Sequence, residues 1–158
     1  MKNQESLREH LLNLLSGESA HASFEGAVQN IPATVHGKRP KGAAHSPWEV
    51  LEHLRITQRD ILEFIRDPKY VSPDFPAGYW PSAQAPPDDK AWDKSVTAFR
   101  ADLKIIAELT AKESVDLLAP LEHAPDKTIL REVLLVADHN AYHLGELVLL
   151  RRILGTWG

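Results

Sequence analysis

The chain has 158 residues, of which 25% are charged and 43% hydrophobic, with a net charge of −4 at pH 7. This length fits one domain over residues 1–158, and the acidic balance gives no reason to expect binding to nucleic acid. The absence of cysteine excludes disulfides, a cysteine nucleophile and thiolate-bound metals. The first residues lack the apolar segment of a signal peptide, and no apolar run is long enough to span a bilayer. We therefore expect a cytoplasmic protein that does not associate with membranes.

The first predicted helical region begins near Ser6, where Ser6-Leu7-Arg8-Glu9 has the form of a capping box. Apolar residues recur at helical spacing from Leu7 as far as Ile31, and Pro32 ends the region. Gly17 lies inside it, and we expect this glycine to kink the helix.

The second predicted helix has the clearest start signal in the chain. Ser46-Pro47-Trp48-Glu49 supplies an N-cap serine, proline at the first helical position and glutamate three residues after the cap. Apolar residues then recur at helical spacing until Asp67-Pro68.

Two more helices are predicted in the second half of the chain. The third follows Pro86-Pro87-Asp88, and its apolar positions alternate steps of four and three, as in a packed bundle. The fourth runs from about Thr128 to Leu154 and ends at Gly155. No segment alternates with period two, so no sheet is expected. Four helices around one core predict an all-α four-helix bundle.

The connections between helices 1 and 2 (residues 32–45) and between helices 2 and 3 (residues 68–87) are unusually long for such a bundle. The second holds six of the eleven prolines and four aromatic residues: Tyr70, Phe75, Tyr79 and Trp80. We call residues 68–87 the flap. Because proline reduces chain entropy and aromatic rings can dock, the flap is predicted to be a stiff cover, with Tyr79 and Trp80 at a pocket mouth.

His139 and His143 lie four residues apart in the fourth helix, so their imidazoles share one helical face. This helix is apolar on nearly all sides, which predicts that it is buried and that each imidazole needs a polar partner. One shared cation would satisfy both. His53, in the second helix, is the best candidate for a third ligand. Three neutral imidazoles suit zinc, nickel or ferrous iron, with further coordination positions open to water or substrate.

The alternative is that these histidines are structural and bonded to backbone carbonyls or to carboxylates such as Asp138 or Glu146. The residues alone leave both interpretations open. His21 and Glu25 form another pair with a spacing of four. They would supply a fourth ligand or a general base if the first helix were unbroken, but we favour a surface pair after a kink at Gly17.

The remaining histidines lie in polar or loop contexts, and we predict that they are exposed: His10, His36, His45 and His123.

The sequence resembles the DinB-like superfamily of small four-helix-bundle proteins, which includes YfiT-type metal-dependent hydrolases. The resemblance is carried by His53 in Glu-His-Leu-Arg and by the segment from Asp138 to Glu146, and the order of elements matches over essentially the whole chain. It implies one divalent metal held by His53, His139 and His143, and it implies a homodimer.

The resemblance also implies an activity on a small molecule. Superfamily members include thiol-S-transferases that use low-molecular-weight thiols, a thiol-dependent isomerase and many proteins of unknown activity. In a hydrolase the metal would generate hydroxide, whereas in a transferase it would bind the cofactor thiol as thiolate. The same three ligands serve both reactions. The alternative function is a non-catalytic small-ligand-binding or stress-response module with structural histidines.

Several further residues are candidates for the surroundings of the metal. Glu49, Glu52, Asp138 and Glu146 could accept a ring N–H from a ligand histidine, and Trp80 could line the pocket. A third possibility for the chain as a whole is a structural dimer built on the small residues Ala137 and Ala141 of the last helix.

Overall fold

The computed structural model describes residues 2–17 and 20–158. Its helices and strands are α1 (Lys2–Ser16), α2 (Phe24–Val28), α3 (Pro47–Arg66), α4 (Ala91–Ala111), β1 (Pro120–Leu121), β2 (Ala124–Thr128) and α5 (Ile129–Ile153). The prediction of an all-α bundle is confirmed, with one small hairpin added to it. Across the described ranges, no helix combines the length and apolarity that crossing a membrane requires.

The four long helices form the bundle. Helices α1 and α3 each pack against both α4 and α5, so α1 and α3 occupy opposite corners. Buried apolar side chains form two clusters, one around the first half of α3 and the second half of α5, the other around their opposite halves. A polar contact lies between the clusters along both helices, where Asn140 Nδ2 donates to Gln58 Oε1 at 3.0 Å. The two helices that carry the predicted ligands are therefore neighbours.

The predicted ends of α3 and α5 are confirmed. The Ser46 hydroxyl accepts the Glu49 N–H, and the Glu49 carboxylate accepts the Ser46 N–H, so the capping box is complete. The Thr128 hydroxyl caps α5 by accepting the Arg131 N–H. Gly155, at φ +69°, follows its last turn in the left-handed conformation typical of helix ends. These caps fix the registers of the helices that hold His53, His139 and His143.

The first helical region differs from its prediction. Helix α1 begins at Lys2, so Ser6 lies inside it and is not a cap; its hydroxyl pairs with His10 Nε2 at 3.3 Å. The helix ends at Ser16, and Gly17 turns the chain with φ +67°. Among the residues described after Gly17, helical structure begins again at α2, which ends before Ile31. Gly17 therefore marks a break in the helix rather than a kink.

The prediction that the chain has no sheet is also wrong. Strands β1 and β2 form an antiparallel hairpin in which Pro120 faces Thr128 and Leu121 faces Ala124. The missed strands have two and five residues. β1 is too short to display period-two alternation, and β2, Ala-Pro-Asp-Lys-Thr, lacks the alternating apolar side chains by which a strand is recognised in a sequence.

Helix α5 is not buried on all sides, contrary to prediction. A stripe of four apolar side chains, between 44% and 73% exposed, runs along it: Leu134, Tyr142, Leu149 and Ile153. Ala137 instead packs in the core. Because Ala137 is buried, the Ala137/Ala141 face cannot serve as the predicted dimer interface.

Candidate metal centre

Three imidazoles from two helices converge on one point. His53 lies in the second turn of α3, and His139 and His143 lie one turn apart near the middle of α5. His53 Nε2 is 3.0 Å from His139 Nε2 and 3.1 Å from His143 Nε2. No other His, Cys, Asp or Glu within the described ranges joins these three in a cluster with metal-binding spacing.

The tautomers of His53 and His143 follow from their other ring nitrogens. His53 Nδ1 lies 2.8 Å from the backbone carbonyl of Tyr79, and His143 Nδ1 lies 2.9 Å from a carboxylate oxygen of Glu146. Carbonyl and carboxylate oxygens accept hydrogen bonds, so both Nδ1 atoms carry the proton. In its neutral form, each ring therefore turns an unprotonated Nε2 lone pair toward the other.

Neither His53 nor His139 carries an extra proton at neutral pH. Burial lowers the pKa of His53. Burial and the neighbouring His143 and His53 lower the pKa of His139 from 6.5 to about 3. His139 and His53 are consequently neutral near pH 7. The Nε2 atoms of these two neutral rings are in contact, and His143 Nε2 lies beside that of His53.

This donor set fits a divalent metal ion. Metal–imidazole bonds of about 2.0–2.1 Å place neighbouring ligand nitrogens roughly 3.0–3.4 Å apart. The two distances from His53 Nε2 fall in this range, and all three ligand atoms lie within 4.8 Å of one another. His139 Nδ1 is buried and has no hydrogen-bond partner within the ranges described. At its other nitrogen the ring meets His53 Nε2, and a metal bound there would hold both rings at once.

The flap covers the cluster from one side. The Trp80 indole stacks on His53 with ring centroids 3.9 Å apart and planes inclined by 3°. The Tyr79 hydroxyl donates to Asp60 on α3 at 2.8 Å. Burial and the adjacent Asp60 carboxylate raise the pKa of Tyr79 to about 12, so this hydroxyl remains a donor. The flap thus supplies both an aromatic cover and the carbonyl that orients His53.

Of the four predicted carboxylate partners, only Glu146 contacts a histidine of the cluster. Its pKa is lowered, chiefly by the hydrogen bond from His143, so it is a carboxylate at neutral pH. Glu49 pairs with Arg39 and completes the α3 cap. Glu52 accepts from Arg55 and Ser95. Asp138 is exposed.

His21 and Glu25 do not belong to the histidine cluster. His21 is exposed, and its Nδ1 pairs with the Ala22 carbonyl at 2.9 Å. Glu25 is also exposed and forms a salt bridge with Arg100. The expectation that His21 and Glu25 form a surface pair is therefore confirmed.

Three of the four histidines predicted to be exposed are buried or half-buried, so the prediction is wrong for them. His36 is buried, stacked on Trp92 at 3.9 Å and bonded to the Ile31 carbonyl. His123 is half-buried against the Phe64 carbonyl. His45, also half-buried, bonds to Glu146 at 3.0 Å and stacks on Trp80. His45 is the site residue that sequence reasoning missed, although its position next to the Ser46 cap was a usable signal.

A helical bundle with a three-imidazole cluster between two adjacent helices defines a class of protein able to hold a single metal ion. The family model described as DinB superfamily matches residues 17–147, which is most of the chain. The chain therefore belongs to the DinB superfamily. No match was found among curated proteins or among solved structures.

Proposed function

We propose that the protein binds one divalent metal ion, zinc, nickel or ferrous iron, through His53, His139 and His143. We propose further that it acts on a small molecule as a metal-dependent hydrolase or thiol-S-transferase. The observation that supports this proposal is the pair of fixed tautomers: the Tyr79 carbonyl and the Glu146 carboxylate hold protons on Nδ1, so Nε2 of each ring is available to a metal. Structural histidines have no need of lone pairs directed at one another.

A bound metal of this kind lowers the pKa of a coordinated water or thiol and polarises substrate oxygens. The protein's own part is to fix the donors. Tyr79 and Glu146 orient two of the rings, and Trp80 packs over His53 and limits its contact with solvent. Because three protein ligands are typical of catalytic zinc, the arrangement favours a reactive site over a purely structural one.

The choice between hydrolysis and thiol transfer depends on what occupies the remaining coordination position. The chain has no cysteine, so any thiol in the reaction comes from a separate low-molecular-weight cofactor. Thiol transfer therefore requires an added thiol, whereas hydrolysis requires only water. Assays of metal-loaded protein with and without a small thiol separate the two reactions.

Metal content is the first test. Tag-free wild-type protein, His139→Ala and the matched control His21→Ala would each be loaded, dialysed and measured by elemental analysis. We expect about one equivalent in wild type and His21→Ala, and none in His139→Ala, with helical circular dichroism retained in all three. Wild type that binds none of the three metals would refute the proposal and favour the non-catalytic binding module.

We also propose that the exposed apolar stripe of α5 packs against a second copy of this chain. Asp138, Gly145 and Arg152 are seven residues apart in sequence, so they share one helical face. Gly145 is exposed, and a Cβ added there would meet nothing within 4 Å. Two antiparallel α5 helices that cross at Gly145 would place Asp138 of each copy opposite Arg152 of the other. A two-fold interface requires this kind of self-complementarity.

Charge reversal tests this pairing. Asp138→Arg and Arg152→Asp would each place like charges opposite one another, and we expect each to raise the dimer dissociation constant severalfold in sedimentation experiments. The double variant restores opposite charges and should recover the wild-type constant. A monomeric wild type, or a double variant no tighter than the single ones, would contradict the pairing.

A further inference from the structure

Glu146 accepts hydrogen bonds from two imidazoles at once. One carboxylate oxygen lies 2.9 Å from His143 Nδ1, and the other lies 3.0 Å from His45 Nδ1. As with His143, the carboxylate can only accept, so His45 carries its proton on Nδ1. The carboxylate therefore links a proposed metal ligand on α5 to a histidine from a different part of the chain.

His45 is held in place on both sides. It directly precedes Ser46, whose backbone and hydroxyl form the α3 cap and whose hydroxyl also donates to the flap carbonyl of Gln84 at 2.6 Å. Its ring stacks on the Trp80 indole at 3.8 Å, and the same indole stacks on His53. The cap and the flap thus fix the direction in which His45 Nδ1 points.

The hydrogen bond that Glu146 accepts from His45 also affects how Glu146 holds His143. A glutamate side chain on a helix has several rotatable bonds, and ordering it costs conformational entropy. The N–H of His45 helps to hold the carboxylate in the one position where it also accepts the His143 N–H. Outer partners of metal-binding histidines set the tautomer and ring orientation, and their loss typically weakens metal binding about 10- to 100-fold.

We propose that His45 is a positioning residue of the metal site, which acts through Glu146 to hold His143 ready for the metal. This inference rests on the proposed function, because it requires that the three histidines bind a metal. It assigns to His45 a donor role that its stacking on Trp80 alone would not require. The two contributions of His45, its N–H and its ring, can be separated by substitution.

The test measures the dissociation constant of zinc by competition with a chromogenic chelator, together with the absorption spectrum of the cobalt-substituted protein. His45→Phe keeps a ring on Trp80 but removes the donor, whereas His45→Asn keeps a donor near the Nδ1 position but removes the ring. We expect His45→Phe to weaken zinc binding about tenfold and to alter the cobalt spectrum. His45→Asn should stay within about threefold of wild type.

A double-mutant cycle with Glu146→Gln shows whether His45 acts through the carboxylate. Glu146→Gln alone should weaken zinc binding at least as much as His45→Phe, and adding His45→Phe to it should have little further effect. Additive effects, an unchanged constant in His45→Phe, or a loss confined to His45→Asn would overturn the inference. Failure of the wild type to bind metal would refute the proposed function itself, and that result is read from the wild type alone.

Discussion

The metal-free protein should lose stability in acid, and His139 should account for a defined part of the loss. In the folded state the pKa of His139 is about 3, because the ring is buried beside His143 and His53. In the unfolded chain it returns to its ordinary value of about 6.5. Above pH 6.5 the ring is neutral in both states and contributes no pH dependence. Between pH 6.5 and 3 only the unfolded chain takes up this proton, so acid favours unfolding.

The size of the effect follows from the two pKa values. Each pH unit below 6.5 lowers the free energy of unfolding by about 1.4 kcal/mol, which gives about 2 kcal/mol at pH 5 and about 4 kcal/mol at pH 3, where the folded ring also begins to take up the proton. His53, whose pKa is also lowered by burial, adds to the loss in the same direction.

Urea unfolding of chelator-treated protein at pH 7.5 and pH 5, followed by circular dichroism, measures this loss. The comparison is with His139→Gln, which keeps a polar side chain but cannot titrate. We expect the fall in unfolding free energy between the two pH values to be about 2 kcal/mol smaller in the variant than in wild type. Equal falls in the two proteins would show that His139 is not held neutral by the fold.

Three further perturbations test two buried contacts of the fold and the bound metal. Gly37→Ala would bring a methyl group within 2.5 Å of Ala85 Cβ in the flap; we expect urea unfolding to show a loss of about 1–3 kcal/mol, and no loss would contradict this close approach. Arg151→Ala leaves two backbone carbonyls of α2 without their buried donor, so we expect the free energy of unfolding to fall by about 2–4 kcal/mol in the same assay. In protein loaded with metal at a hundredfold excess over its Kd, chelation should lower the free energy of unfolding by about 3 kcal/mol, which is measured as a lower Tm. His139→Ala should show no such shift, and an equal shift there would place the metal elsewhere.

Local signals made the helices of the site predictable. The capping box at Ser46 and the cap at Thr128 depend only on residues adjacent in sequence, so the registers of α3 and α5 could be read directly. Once those registers are fixed, His53 and the two histidines of α5 fall on faces that meet. The metal-binding role of these residues remains a proposal, whereas their convergence is a property of the fold.

Tertiary contacts account for what the sequence did not reveal. His36 lies in a loop, where exposure is the usual expectation, yet a buried Trp92 ring and the Ile31 carbonyl cover it. His45 likewise acquires its environment from Glu146, 101 residues away. Hydrophobic periodicity carries no information about such pairs, because they depend on where a loop returns to the bundle.

The two acceptors that orient the cluster come from very different sources. Glu146 is a side chain on the same helix as His143, so its role has a chemical signature that can be recognised in a sequence. The acceptor for His53 is a backbone carbonyl in the flap, which every residue type supplies. What places that carbonyl is the Tyr79 hydroxyl on Asp60 and the Trp80 indole on His53. The aromatic residues of the flap therefore control the donor geometry of His53 without contributing a ligand atom.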